Sequence, residues 1–320
     1  MAEHEESANA LSALSSGDFK RAKELYGELL SLYPEDPEYQ CGLYTSGYWD
    51  NRGEETAKQR QGRGAGEYLV REWEKYQHIA DDRDYTGCLS FRMAMRVILG
   101  HAADQFRLAY QNEGSLDRDT LLELGRCLIR IEDYRNAQEI LQYARKVHSP
   151  SAEIYFLLGE SLCCLEGEGN HQKGMSFYRD ACMLDPQKFD PAFVASQPAS
   201  AVFQNLYRDG ESTLESVNEW MPFYLSISSF LPGLRRLSEQ ELSVLSAETE
   251  RLERDLSRVA DKFKSKVRAR LAFYCTVFLY QYIFHSPDPE MVETFEEKLE
   301  KLDQDLYTVY KEKKKAGGVR

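Results

Sequence analysis

The side chains that could act as metal ligands or nucleophiles in this sequence are seven cysteines and six histidines. The cysteines form no Cys-x-x-Cys pair and the histidines are scattered, so neither set has the spacing of a zinc site. Cys163 and Cys164 are adjacent, and on a helix their side chains would point about 100° apart, which argues against a shared metal or a disulfide. Nucleophile-elbow, His-Glu-x-x-His, Walker and dinucleotide motifs are absent. The sequence therefore predicts neither an enzyme nor a bound cofactor or metal.

The cysteine count and the N-terminus both bear on the cellular compartment. An odd number of irregularly spaced cysteines is a poor disulfide framework and favours reduced, buried thiols in the cytoplasm. The N-terminus has neither a cationic start nor an apolar core, so we expect no secretory signal. The most apolar stretch is Leu271–Phe284. It is shorter than the run of about 20 apolar residues that a membrane-spanning helix needs, so we expect a helix buried on most sides.

Charge is distributed unevenly along the chain. Forty Lys and Arg stand against 53 Asp and Glu, a net charge of −13, which argues against a general nucleic-acid binder. A local cationic run consists of Lys262, Lys264, Lys266, Arg268 and Arg270, and the tail 311–320 is also basic. A solvated helix face and a frayed terminus are the simpler interpretation. Contact with an anionic membrane or an acidic protein surface is the alternative.

The elements that must position these residues are predicted to be helices. Hydrophobic residues make up 42% of the chain, enough to bury a core, and there are only 20 Gly and 10 Pro in 320 residues. Ala, Leu, Glu, Lys and Arg are abundant, which favours helix. We therefore expect an all-α protein.

Two segments of this chain repeat each other, 120–150 and 152–186. Gly125 and Gly159 occupy equivalent positions in the two copies, and each is followed three residues later by a leucine. The second copy has a turn that is three residues longer. A small residue at this place would let a second helix approach the first closely. The N-terminus repeats the second half of the unit, with matching residues at Gly17, Phe19, Ala22, Tyr26 and Pro34.

This pattern resembles the tetratricopeptide repeat, a helix-turn-helix unit of about 34 residues with small residues inside and a proline at its end. The separation of Gly125 from Gly159 equals the length of that unit. Continuing the same register places a weaker unit at 84–117 and a helix at 38–49. The partner of that helix is displaced to 67–80 by a polar, glycine-rich insertion at 51–66. For its glycine-rich end, residues 62–66, we predict a flexible loop. The resemblance thus predicts a repeat array over 1–187, stacked as a helical solenoid.

In proteins of this family the concave face of the array is lined mainly by the first helix of each unit and binds a peptide or helix of a partner. Transferred to this sequence, the resemblance implies partner-binding residues Leu122, Glu123, Arg126, Ile129, Arg130, Phe156, Leu157 and Glu160. Arg126 and Arg130 are four residues apart on one helix face and could bind a carboxylate or a carbonyl. The subclass that binds chaperone tails uses cationic clamp residues, and Glu123 stands where a cation is wanted, so that subclass is not expected.

The C-terminal third carries a different pattern. We predict divergent connecting helices over 188–233 and a bundle of long helices with a basic tail over 234–320. Ser238 and Glu241 have the spacing of a capping box, which begins a helix. Two apolar seams with heptad spacing follow: Leu245, Thr249, Leu252, Leu256, Val259 and Phe263, and then Val292, Phe295, Leu299, Leu302, Leu306 and Val309. These seams favour an intramolecular bundle, with a dimeric coiled coil as the alternative, and leave the oligomeric state open.

The sequence therefore predicts a cytoplasmic interaction scaffold whose array binds a protein segment. The alternative is a peripheral membrane or envelope-assembly protein that docks through its basic C-terminal helices.

Overall fold

A computed structural model describes residues 2–113, 117–208, 213–228 and 235–316 of the chain. Every regular element in these ranges is helical, which confirms the predicted all-α fold. The chain divides into two compact units, Met1–His148 and Ser149–Arg320.

The first unit is built from eight helices joined by short turns. They are α1 Ala2–Ser15, α2 Phe19–Leu32, α3 Pro37–Asp50, α4 Gly53–Lys58, α5 Arg63–Asp82, α6 Leu89–Glu113, α7 Arg118–Arg130 and α8 Tyr134–Val147. Helices adjacent in sequence pack as pairs, α1 with α2, α5 with α6, and α7 with α8, and α6 also packs on α1 and α3.

The turns at α1–α2 and α7–α8 have the same construction. Asp18 and Asp133 cap the second helix of each pair through the backbone N–H three residues on. The residue before each cap has a positive φ, 80° at Gly17 and 65° at Glu132. An aromatic residue, Phe19 or Tyr134, then opens the second helix.

Helix pairs approach most closely at glycines. A Cβ placed on Gly125 would lie 2.7 Å from Leu141 of the partner helix, and one on Gly159 would lie 2.8 Å from the Tyr178 ring. Both contacts confirm the predicted role of the small residue. The N-terminal unit shows the same spacing, because Ala10, fully buried in α1, precedes Tyr26 by the interval that separates Gly125 from Leu141.

Two expectations for the first unit are wrong. The glycine-rich stretch at 62–66 is not a flexible loop, since α5 begins at Arg63, and the insertion before it contains the short helix α4. Gly66 lies inside α5, where any Cβ would meet the Phe106 ring at 2.8 Å. The predicted hairpin at 84–117 is instead one long helix, α6, which pairs with α5.

The second unit begins with the other full repeat and continues into the C-terminal bundle. Its elements are α9 Ala152–Cys163, α10 Asn170–Leu184, two 3-10 turns at Pro186–Lys188 and Pro191–Phe193, α11 Ala199–Arg208, α12 Leu214–Ser228, α13 Glu239–Leu256, α14 Asp261–Tyr280, a π turn at Gln281–His285, α15 Pro289–Leu302 and α16 Gln304–Ala316. The predicted boundary after 187 falls inside this unit, and the one at 233–234 lies outside the described residues.

Helix α14 forms the centre of the second unit. All ten residues from Leu271 to Tyr280 are buried, as expected for the most apolar stretch of the sequence. Helices α12, α13 and α15 pack around it. The Ser238–Glu241 capping box is present at the start of α13.

The two predicted seams are buried within this one chain, although both are interrupted. Leu245, Thr249 and Leu252 face the core, but the first helix ends at Leu256 and Phe263 is 51% exposed. The second seam breaks at Asp303, whose carboxyl group accepts hydrogen bonds from the first backbone N–H groups of α16. Both seams pack on one core cluster with α14, so they form the intramolecular bundle.

We expect Gly174→Ala to lower the free energy of unfolding by about 1–3 kcal/mol, because the added Cβ overpacks a helix contact. It would lie 2.5 Å from the Cys163 sulfur and 2.8 Å from the Gly159 carbonyl oxygen. Gly100→Ala in α6 is the matched control, since nothing lies within 4 Å of its Cβ. Chemical denaturation should show the control gaining about 0.5–1 kcal/mol, the usual difference in helix propensity. Equal effects for the two variants would contradict the close approach.

Candidate functional site

Helix α7 carries five of the predicted partner-binding residues, and its start is fixed by Asp117. The Asp117 carboxylate accepts hydrogen bonds from the backbone N–H and the hydroxyl of Thr120, each at 2.9 Å. Arg63 of α5 pairs with the same carboxylate at 2.6 Å. Burial alone would raise the pKa of Asp117, but these hydrogen bonds and the nearby guanidinium lower it overall. The helix is therefore anchored at its N-terminus while its outer face stays accessible.

The predicted residues on α7 separate into a buried and an accessible set. Leu122 and Ile129 are buried, 3% and 5% exposed, so they hold the helix in place. Glu123, Arg126 and Arg130 are each half-buried. Together with the exposed Asp119 they follow one another along the helix at intervals of four, three and four residues. We call these four residues the α7 stripe. It places two carboxylates toward the start of the helix and two guanidiniums toward its end.

One ion pair within the α7 stripe is already formed. The guanidinium of Arg126 donates to the Glu123 carboxylate at 2.5 Å, and the two side chains are 30% and 29% exposed. Both side chains keep part of their surface in contact with solvent, so a partner can reach the Arg126 guanidinium.

Helix α9 carries the other three predicted residues, and all three are buried. Phe156, Leu157 and Glu160 are 5%, 6% and 1% exposed. The Phe156 ring packs edge-to-face with two other rings. The distance between ring centroids is 6.0 Å to Tyr178 and 5.4 Å to Phe189. Phe189 belongs to the segment that follows the repeat, so residues of this chain cover the apolar part of α9.

The Glu160 carboxyl group is enclosed by hydrogen-bond donors. One oxygen accepts from the backbone N–H groups of Ala195 and Ser196 at 2.8 and 3.0 Å, and from the Cys164 thiol at 3.2 Å. The other accepts from the Tyr178 and Ser196 hydroxyls, both at 2.6 Å. Burial raises the pKa of Tyr178, and the nearby charge of Glu160 raises it further. This carboxyl group fixes the connecting segment on α9.

The predicted groove residues therefore have different surroundings in the two units. The α7 stripe is accessible, whereas the segment 186–198 covers Phe156 and Glu160, and Leu157 is buried. Periodicity identified both faces correctly as lying on first helices of repeats. Periodicity could not predict that the segment 186–198 packs on α9, because Ser196 and Phe189 lie in irregular chain after α10.

The cationic run of α14 is partly used inside the second unit. Arg270 donates to the carbonyl oxygens of Cys182 and Met183 at 2.8 and 2.7 Å, and so caps the end of α10. Lys264 pairs with Asp261, and Lys266 with Glu219 of α12. Lys262 and Arg268 are exposed. Some side chains of the cationic run therefore make contacts within the unit, and others remain exposed to solvent.

The basic tail is likewise partly bound. Lys311 and Lys314 both donate to the Glu296 carboxylate of α15, at 2.9 and 3.0 Å. Residues 317–320 of the predicted tail lie outside the described residues.

The thiols have surroundings that disfavour nucleophilic chemistry. Burial raises the pKa of Cys127, Cys182 and Cys275 to about 12, so these thiols stay protonated at neutral pH. Within the described ranges no group of three or more His, Cys, Asp or Glu side chains could hold a metal ion.

Residues 122–189, which include most of α7 and all of α8 to α10, match the family model of the tetratricopeptide repeat. This segment is similar to tetratricopeptide repeats, as the repeat pattern of the sequence predicted. Neither a curated protein nor a solved structure matches it. Tetratricopeptide repeats generally serve as protein–protein interaction modules, and their fold is typically a scaffold without catalytic activity.

None of the helices that the structure describes is long and apolar enough to cross a bilayer.

We expect Glu160→Ala to destabilise the second unit by about 2–4 kcal/mol, because it removes the acceptor of the buried Ser196 backbone N–H and of the buried Tyr178 and Ser196 hydroxyls. Glu160→Gln should cost less, since its amide oxygen can still accept from Ala195 and Ser196 while the hydroxyls turn to accept from its NH2 group. Thermal and chemical unfolding measure both. Glu168→Ala, at an exposed position, is the control and should change stability by less than about 0.5 kcal/mol. If Glu160→Ala unfolds like the control, this carboxyl group does not hold the segment.

Proposed function

We propose that the chain is an interaction scaffold that binds a peptide or helix of a partner protein on the α7 stripe. The observation that carries the proposal is the half-exposed row of Asp119, Glu123, Arg126 and Arg130 on the first helix of a tetratricopeptide repeat. Repeats of this kind present such helices to their partners, and α7 is held rigidly beneath the row by its buried residues.

The charge order of the α7 stripe indicates the chemistry of its partner. Arg126 and Arg130 suit a carboxylate or the carbonyl end of a helix, because the guanidinium offers paired N–H donors. Asp119 and Glu123 suit a Lys or Arg side chain. Glu123 and Arg130 stand seven residues apart, which is about 10 Å along the helix axis. A partner segment with a cationic and an anionic side chain at this separation would satisfy both ends.

Phe156, Leu157 and Glu160 take an indirect part in this proposal. The segment 186–198 covers Phe156 and Glu160, and Leu157 is buried, so the three contribute no contact surface to a partner while that segment stays in place. Leu122 and Ile129 are also buried and position the α7 stripe from beneath.

We expect the double substitution Arg126→Glu/Arg130→Glu to reduce partner capture at least about tenfold, because two favourable charge pairs become repulsive. Affinity capture from native cells, followed by mass spectrometry, compares the proteins recovered with the wild type and with the variant. The melting temperature should stay close to that of the wild type, since neither side chain belongs to the buried core of the unit.

The matched control is Arg135→Glu/Lys146→Glu, which reverses two exposed charges on α8 and alters the net charge equally. This control should retain the partner. Undiminished capture by the α7 variant would contradict the proposed face, and so would an equal loss with the α8 control.

A further inference from the structure

The turn between α13 and α14 protrudes from the core of the second unit. Leu252 and Ala269 are buried, and every residue between them is at least partly exposed. We call residues 253–268 the hairpin tip. Its base is held firmly, since Arg270 is bound to the end of α10 and the Trp220 indole donates to the Ser265 hydroxyl at 3.2 Å.

The hairpin tip is the end of a cationic region in an acidic protein. Residues 251–270 contain eight Lys and Arg against three Asp and Glu, whereas the whole chain has a net charge of −13. Three acidic groups at the tip are paired, Asp261 with Lys264, Glu219 with Lys266, and Glu253 with Lys298 of α15. Asp255 also lies within the tip. Arg258, Lys262 and Arg268 remain exposed beyond these pairs.

A large apolar side chain stands among these cations. Phe263, in the first turn of α14, is 51% exposed. The ammonium nitrogen of Lys262 lies 4.8 Å from the centre of its ring. An exposed aromatic ring flanked by cations has the two components of interfacial membrane binding, an apolar group that enters the bilayer surface and charges that meet anionic headgroups.

We propose that the hairpin tip docks on the surface of an anionic lipid bilayer, with Phe263 inserted at the level of the headgroups. The charge of the tip complements an anionic surface, and the half-exposed Phe263 ring supplies the apolar group that enters a bilayer interface. An acidic protein surface would pair with the charges alone and would leave this ring without a role. The hairpin tip shares no residue with the α7 stripe, so the docking does not depend on the proposed scaffold function.

The test is co-sedimentation of the full chain with vesicles of phosphatidylcholine alone or with about 30 mol% phosphatidylserine, near 0.1 M salt. We expect binding only to the anionic vesicles, weakened by added salt because the headgroup attraction is screened. Phe263→Ala should weaken binding about tenfold through loss of apolar burial. Lys262→Glu/Arg268→Glu should weaken it by at least about tenfold, since two attractive charges become repulsive.

Two control variants separate the tip from the rest of the surface. Val244→Ala removes another exposed apolar side chain, and Lys173→Glu/Lys301→Glu makes the same change in net charge elsewhere in the second unit. Both should bind vesicles like the wild type. Absence of binding to the anionic vesicles overturns the proposal, as does equal binding by Phe263→Ala. Binding to soluble polyglutamate but not to vesicles would assign the surface to an acidic protein and would also overturn it.

Discussion

The hydrogen bonds to the buried Glu160 carboxyl group decide how the second unit is arranged. A carboxyl group that is 1% exposed is strongly destabilising unless donors surround it. Two of its donors are backbone N–H groups of the segment that leaves the repeat, so this segment must lie on α9 for the unit to be stable. The same contact brings Phe189 onto Phe156 and directs the chain toward α12 and the bundle around α14. It also explains why one predicted binding face is closed while the α7 stripe is open.

Close helix approach at glycine is the second constraint, and it was visible in the sequence. Gly125 and Gly159 were identified from their spacing, and each lies where a Cβ would collide with the partner helix. The all-α fold, the capping box at Ser238 and the burial of 271–280 also follow from local composition and periodicity. These features depend on residues close together in the chain, which is why a single sequence was sufficient to predict them.

The features that the sequence did not predict depend on distant contacts. The glycine-rich insertion looked like a loop, yet Gly66 is helical because α6 brings Phe106 against it. The long helix predicted beyond Ser238 ends at Leu256, although the following four residues, 257–260, contain neither Gly nor Pro. For the candidate site, periodicity showed which helix faces could bind, but burial by the segment 186–198 depends on tertiary contacts of Glu160. The capping of α10 by Arg270 joins residues far apart in the chain and has no local signature either.

In the proposed scaffold, the α7 stripe binds the partner while α9 is covered by the chain itself. Amide hydrogen exchange, measured on the free chain and on its complex with the captured partner, tests this directly. We expect slower exchange in residues 118–130 on binding and unchanged exchange in residues 152–163. Protection confined to 152–163, together with faster exchange in 186–198, would show instead that the partner displaces the segment, and would contradict the claim.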